Sequence, residues 1–367
     1  MTCRSPWVTS RTRCVVGALV AGLLAVPSAA CTGDGTTATD SFTVGLLLPS
    51  RVVPRWENSD KPLIVQQVKQ LCPHCKVTYA NADDDATAQR QQMIAMITKG
   101  VRVIILGTTD NRALRSTVQE AHDAGVPVVA YDRLAEGPVS GFVSFDGVQV
   151  GTLQGQALLK AMHAPAEDGT IVMMNGDPTS PNAAWFKRGA LSVLRGKVNI
   201  GRSYDTPGWS TDNANANMSA AISALGPGRI DGVLAANDAM AAGVISALKS
   251  AHVGRLPPVT GQDADLDAVR RIVDGEQSMT VYKSFRAEAE AAAAMAVALG
   301  RGEKLDTIAT TTTDSPTTRH IPSVLLTPVA VTTANIRQTL VKDGVYTVDQ
   351  ICTPRLRAAC EKAGLTP

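Results

Sequence analysis

The sequence predicts an α/β protein built on parallel sheets, and three observations predict it. From Thr43 onward, short apolar runs alternate with amphipathic stretches of helical length, the pattern of successive βαβ units. Hydrophobic residues make up 44% of the 367-residue chain and aromatic residues only 4%, so a sizeable core is available, built from Ala, Val, Leu and Ile. The length and the number of runs suit two doubly wound lobes better than one large sheet.

The elements follow in order. Arg4, Arg11 and Arg13 precede the apolar run Val15 to Val26, and Ser28, Ala29 and Ala30 follow it. This is the order of an export signal, with an apolar run too short to span a bilayer, so residues 1–30 are expected to be removed. That removal takes three arginines and no acid from 35 basic and 33 acidic residues, leaving a mature chain with a formal charge of −1. The balance argues against a broad nucleic-acid-binding face. Cys31 comes next, and the small-small-Cys ending resembles a bacterial lipobox, with Ser28 departing from the usual aliphatic residue. Cys31 is thus the expected lipid anchor, and residues 31–41, rich in Gly and Thr, read as its flexible tether.

The strand-like runs are 44–49, 76–80, 101–107, 126–132, 142–146, 170–176, 197–203, 232–238 and 257–263. Helix-like stretches lie between them at 54–71, 86–98, 113–124, 148–163, 182–194, 212–224 and 239–250. A lobe boundary fits after Phe145 and Asp146, where a new helix-strand series begins. The helix 286–299 and the run 323–331 supply further crossings, and the Thr-rich stretch 307–317 reads as a solvated loop.

Ligands of open parallel sheets sit beyond the carboxyl ends of the strands, where strand order reverses, and two such sheets facing one another make a cleft. The residues at those ends are Arg55 and Trp56, Asp132 and Arg133, Asn182, Trp209, Asn237, Asp263 and Lys283. Carboxylates accept and Arg, Lys and Asn donate, which suits hydroxyl groups that do both. Two of the four tryptophans fall at these exits, where flat rings can cover the C–H face of a sugar. Arg55, Arg133 and Lys283 against Asp132 and Asp263 leave a surplus of one positive charge, too small for an anion site and suited to a neutral polyol. Taken singly, each residue has a plainer role: a tryptophan packs a core, Asp132 and Arg133 pair at a surface, and Asn237 or Asp238 caps a helix. Asp238 is read as such a cap, Phe186 as core and Lys187 as surface.

The stretches RW (55–56), AYDR (130–133), SFD (144–146), PNA (181–183), DTPGW (205–209), AANDAMAAG (235–243), GQDADLDAVRRI (261–272), MTVYK (279–283) and LLTPVAVT (325–332) resemble the periplasmic pentose- and hexose-binding proteins of ABC importers, the xylose-binding group foremost. The similarity runs from about Thr43 to Tyr346. It implies two Rossmann-like lobes joined by three hinge crossings, 42–145 with 284–324 and 146–283 with 325–367, closing on one monosaccharide such as D-xylose. The nine residues above would line the site, with Trp56 and Trp209 stacked on the sugar. The implied partners are the sugar, a membrane permease and, through Cys31, the outer face of the membrane; the chain itself would be a monomer. A sensory module serving a receptor kinase or chemoreceptor is the alternative.

Neither a cofactor, a metal nor an enzymatic activity is expected: no phosphate loop, HExxH or GxSxG motif occurs, and the five histidines lack ligand spacing. Cys72 and Cys75 form a CxxC at the end of a predicted helix, where the dipole does not favour a thiolate, so a structural disulfide is expected over a redox centre. Cys352 and Cys360 would form a second bridge.

Overall fold

Each of the early apolar runs becomes a strand with one side chain set on either face of a sheet. The computed structural model describes residues 41–162 and 169–366; the expected export signal and the Cys31 anchor lie outside them. The first strands and helices are β1 (Thr43–Leu48), α1 (Lys61–Leu71), β2 (Lys76–Asn81), α2 (Ala86–Thr98), β3 (Val103–Leu106), α3 (Arg115–Asp123), β4 (Val128–Tyr131) and β5 (Gly141–Phe145). All five strands pair in parallel, with β1 between β2 and β3. Period-two alternation sends Leu46, Ile105 and Val129 to a core shared with Ile64 and Val68 of α1. Their neighbours Leu47, Ile104 and Ala130 join Met93 and Met96 of α2 and Val118 of α3 on the opposite face. Each such fully buried aliphatic side chain contributes roughly 1.5–3 kcal/mol.

The second sheet arises the same way from α4 (Gly147–Ala161), β6 (Thr170–Asn175), α5 (Pro181–Leu194), β7 (Asn199–Asp205), α6 (Thr211–Leu225), β8 (Gly232–Ala235) and α7 (Asp238–Ser250). Its strand order is β7-β6-β8, all parallel. Ile171 and Met173 pack on α4 and α5, and Val172 and Met174 belong to the core that includes Met218 of α6 and Val244 of α7. Helices α4 and α5 meet through glycine: a Cβ on Gly151 would overlap the Phe186 carbonyl, and one on Gly189 the Val148 carbonyl. That close approach fixes α5, which carries Asn182 and Phe186.

The remaining elements are α8 (Leu266–Asp274), β9 (Thr280–Tyr282), α9 (Phe285–Arg301), β10 (Thr311–Thr313), β11 (Ile321–Leu326), β12 (Val329–Val331), α10 (Val348–Ile351) and α11 (Arg357–Lys362). β11 returns to the first sheet in parallel beside β5, whereas β12 pairs antiparallel with β9. The chain therefore passes three times between the first sheet and the rest: after β5, between β9 and α9, and between β11 and β12. All described residues belong to one compact unit.

Four details differ from the sequence reading. The stretch 54–71 is not one regular helix: a π-type turn at Trp56–Asp60 precedes α1. The run 257–263 contributes only a single parallel bridge, Val233 with Val259, because Pro257 and Pro258 have no N–H to donate. The run 323–331 splits at Thr327-Pro328 between two sheets. The Thr-rich stretch is not all loop, since Thr311–Thr313 pairs antiparallel with β11; β-branched threonines favour extended backbone, and the sheet edge offers a partner.

Candidate functional site

The carboxyl ends of β1, β4, β6 and β8 point into one cavity, and all nine residues selected from the sequence line it, together with Val53, Phe186 and Gln262. Arg55 is its central cation. The turn after β1 slots its guanidinium between the Trp56 ring, 4.4 Å away, and the Phe285 ring, 4.0 Å away. Nε and Nη2 hold Asp60 bidentately at 2.8 and 2.7 Å, Nη2 also donates to Glu288 at 2.9 Å, and Nη1 donates to Asp132 at 2.8 Å. Four of its five N–H groups are thereby engaged, so Arg55 is chiefly a scaffold that orients carboxylates.

Asp132 links elements of the two sheets. Its Oδ1 accepts from Asn182 Nδ2 at 2.8 Å, and its Oδ2 faces Arg55 and, at 3.5 Å, Lys283. Lys283 reaches Asp263 at 3.0 Å. Burial works to raise the Asp132 pKa, but Lys283, Arg55 and Arg133 outweigh it and hold this carboxyl well below the usual range. Burial works against the charge of Lys283 too, and there Asp132 and Asp263 win, raising its pKa.

Two acids that the sequence reading missed complete the set. Asp60 and Glu288 are fully buried against Arg55. Counting both as ionised turns the expected surplus of one positive charge into a deficit of one. Burial, then Asp132, pushes the Glu288 pKa well up, favouring its neutral acid, and the cluster of three cations and three carboxylates then sums to zero. A signal for Glu288 was present: it lies one turn into the Ala-rich helix that follows Lys283. Gln262, next to Asp263, was equally legible in the strand exit.

The Arg133 guanidinium lies 5.4 Å from the Trp56 ring and 6.0 Å from that of Trp209. Trp209 packs edge-on to Phe186 and lies against Gly176, where any Cβ would overlap the indole. Both indole N–H groups are buried without a hydrogen-bond partner, as are Asn182 Oδ1 and Gln262 Oε1. Asn237 Oδ1 is spent on capping α7, accepting from Met240 N at 2.9 Å. Asn237 is therefore the cap and Asp238 is not; the Asp238 carboxylate is buried, accepting from Gln277, Thr280 and the Asp265 amide. Phe186 is buried as core at the cavity wall, and Lys187 lies at the surface beside Asp205, 3.5 Å away.

Three of these residues sit on left-handed backbone: Asp132 at φ 59°, Trp209 at 53° and Asp263 at 96°. Such angles cost on the order of 1–3 kcal/mol each and persist only where the surroundings impose them. At Asp132 the constraints are two hydrogen bonds: its N–H donates to the Val143 carbonyl, and the Ser144 hydroxyl donates to its carbonyl.

Cys72 is disulfide-bonded to Cys75 and Cys352 to Cys360. Among the described residues, no group of three or more His, Cys, Asp and Glu is placed to hold a metal ion, and no helix is long and apolar enough to cross a membrane.

Residues 44–304 match the periplasmic binding protein domain. The chain is 34% identical over 334 residues to the multiple sugar-binding periplasmic receptor of Rhizobium radiobacter, covering 86% of this chain and 93% of that one. It is 33% identical over 311 residues to the D-xylose-binding periplasmic protein of Escherichia coli, covering 83% and 90%. An ABC transporter solute-binding protein from Clostridium phytofermentans, solved with bound β-D-glucose, superposes with a TM-score of 0.78 at 30% identity, covering 84% of this chain and 99% of that one.

Proposed function

This chain belongs to the periplasmic binding protein family, and we propose that it is the extracytoplasmic receptor of an ABC importer, capturing one neutral monosaccharide, D-xylose or a related aldose, in the cavity described above. The observation that carries this reading is the pairing of a charge cluster that closes on itself with buried, uncharged groups left unpartnered. Two amide oxygens, Asn182 Oδ1 and Gln262 Oε1, stand there unpartnered for hydroxyls, and the cluster leaves no surplus charge for an ion.

In this reading Trp56 and Trp209 cover the two faces of the ring. Asp132, Asp263 and Asn182 accept from hydroxyls, Arg133, Lys283 and the remaining Arg55 N–H donate, and Asn237 contributes its amide nitrogen. The lobes are 42–145 with 284–324 and 146–283 with 325–367, hinged at the three crossings; Cys31, acylated, would tether them to the membrane. The relatives named above support sugar as the ligand class.

The test is a melting-temperature and calorimetry panel of xylose, glucose, galactose, arabinose and ribose on the mature protein. At least one should raise the melting temperature, as any ligand specific to the folded state must. No shift and no heat with all five would remove the proposal. Radiolabelled palmitate incorporated by the wild type and not by Cys31→Ser tests the anchor.

A further inference from the structure

The residues just before α8 make a strained turn at the cavity. Asp263 and Ala264 are consecutive and both left-handed, at φ 96° and 55°, although neither is glycine. Residues with a Cβ hold such a turn only where several contacts impose it. Three of those contacts are internal to this part of the fold: the Asp263 amide donates to the Val281 carbonyl at 2.9 Å, the Ala264 amide to Thr280 Oγ1 at 3.1 Å, and the Asp265 amide to Asp238 Oδ2 at 3.0 Å. The fourth comes from far along the chain: the Tyr346 hydroxyl donates to the Ala264 carbonyl at 3.1 Å.

Tyr346 does not line the cavity. It stands beyond β12 and the third crossing, where the C-terminal tail begins, and it packs on a separate apolar cluster that contains Ala264, Val269 and Ile272 with Ile351, Leu356 and Cys360 of the tail. The tail is itself pinned by the Cys352–Cys360 disulfide. Burial, then the charges of Asp265 and Asp238, pushes the tyrosine pKa up, so the hydroxyl stays a donor at any physiological pH.

We infer that Tyr346 is a positioning residue for ligand capture: the C-terminal tail, through this one hydroxyl, holds the turn that aims Asp263 at Lys283 and the ligand. The inference rests on the sugar-binding reading for its functional half and on geometry alone for the clamp. Its consequence is that a segment outside the cavity sets part of the affinity.

The experiment compares wild type, Tyr346→Phe and Thr347→Ala, all as the full mature chain. Tyr346→Phe keeps the ring and removes only the donor. Thr347→Ala removes the capping box that Thr347 and Gln350 make at α10, loosening the tail without touching the Ala264 carbonyl. Amide hydrogen exchange at Asp263, Ala264 and Asp265 should quicken about fivefold in Tyr346→Phe, the effect of one hydrogen bond, and stay at the wild-type rate in Thr347→Ala. The Kd for whichever sugar the wild type binds should rise several-fold in the first variant and not in the second. Equal exchange in Tyr346→Phe and wild type, or equal acceleration in both variants, overturns the clamp. Faster exchange with unchanged Kd overturns its role in capture. A wild-type protein that binds no sugar of the panel ends the ligand reading and the capture role together, while the exchange rates still judge the clamp.

Discussion

Asp263→Asn isolates one charge at the centre of the site. The substitution keeps shape, and asparagine accepts left-handed backbone as readily as aspartate, so the φ of 96° is tolerated. What changes is the carboxylate 3.0 Å from Lys283 Nζ and 3.8 Å from Arg55 Nη1. A hydrogen bond to a charged partner contributes about 1.5–3 kcal/mol, so sugar affinity should fall about 10- to 150-fold. Breaking a buried pair outright costs about 3–5 kcal/mol. Here Lys283 keeps Asp132 at 3.5 Å, and the amide oxygen still accepts, so the apo protein should lose less, about 1–3 kcal/mol. Titration calorimetry reads the first number and a denaturant midpoint the second. A variant that binds with the wild-type Kd would refute the assignment of Asp263 as a ligand acceptor, and one with unchanged midpoint would refute the coupling to Lys283.

Gly176→Ala should push the Trp209 indole out of place, because the new methyl overlaps it. Overpacking costs about 1–3 kcal/mol, so sugar affinity should drop by about 5- to 150-fold with the polar residues intact; wild-type binding and an unaltered tryptophan emission spectrum would contradict it. Burial, then the charge of Asp263, raises the Asp265 pKa to about 7. The folded state then holds a proton that the unfolded chain releases near pH 4, so Asp265 adds stability in acid and takes it away as pH rises toward 7. Asp265→Asn should flatten the fall of melting temperature between pH 4 and 8, and a parallel curve for both proteins would count against it. Glu288→Gln mimics the neutral acid and should leave sugar affinity within about twofold; a tenfold loss would mean that Glu288 works as an anion. Replacing Cys352 and Cys360 with serine opens a short loop and should cost roughly 2.5 kcal/mol, seen as a melting temperature lower by several degrees.

Much of this molecule was legible because its signals are local. Apolar runs such as VRVIILG and VPVVAYD are continuous, and parallel strands end at their polar exits, so the rule that ligands gather there led to Arg55, Asp132 and Asp263 without coordinates. What stayed hidden depends on long-range neighbours. Asp60 and Glu288 look like ordinary helix charges in sequence, and only tertiary packing buries both against one guanidinium. The cap was misassigned between Asn237 and Asp238 because both residue types cap well, and the decision lies with Gln277 and Thr280, some 40 residues away in the chain. The edge strand at Thr311–Thr313 was invisible since a polar threonine run resembles a loop until β11 lies beside it.

That edge strand has a consequence for the protein at high concentration. A parallel sheet ending on β11 would offer a long row of free N–H and C=O groups, the template on which further copies add. Three threonines, the first two exposed, run antiparallel along it instead, a strand too short to seed the next one. That margin of the sheet is thereby blunted against edge-to-edge pairing with a further copy, at a cost of three residues.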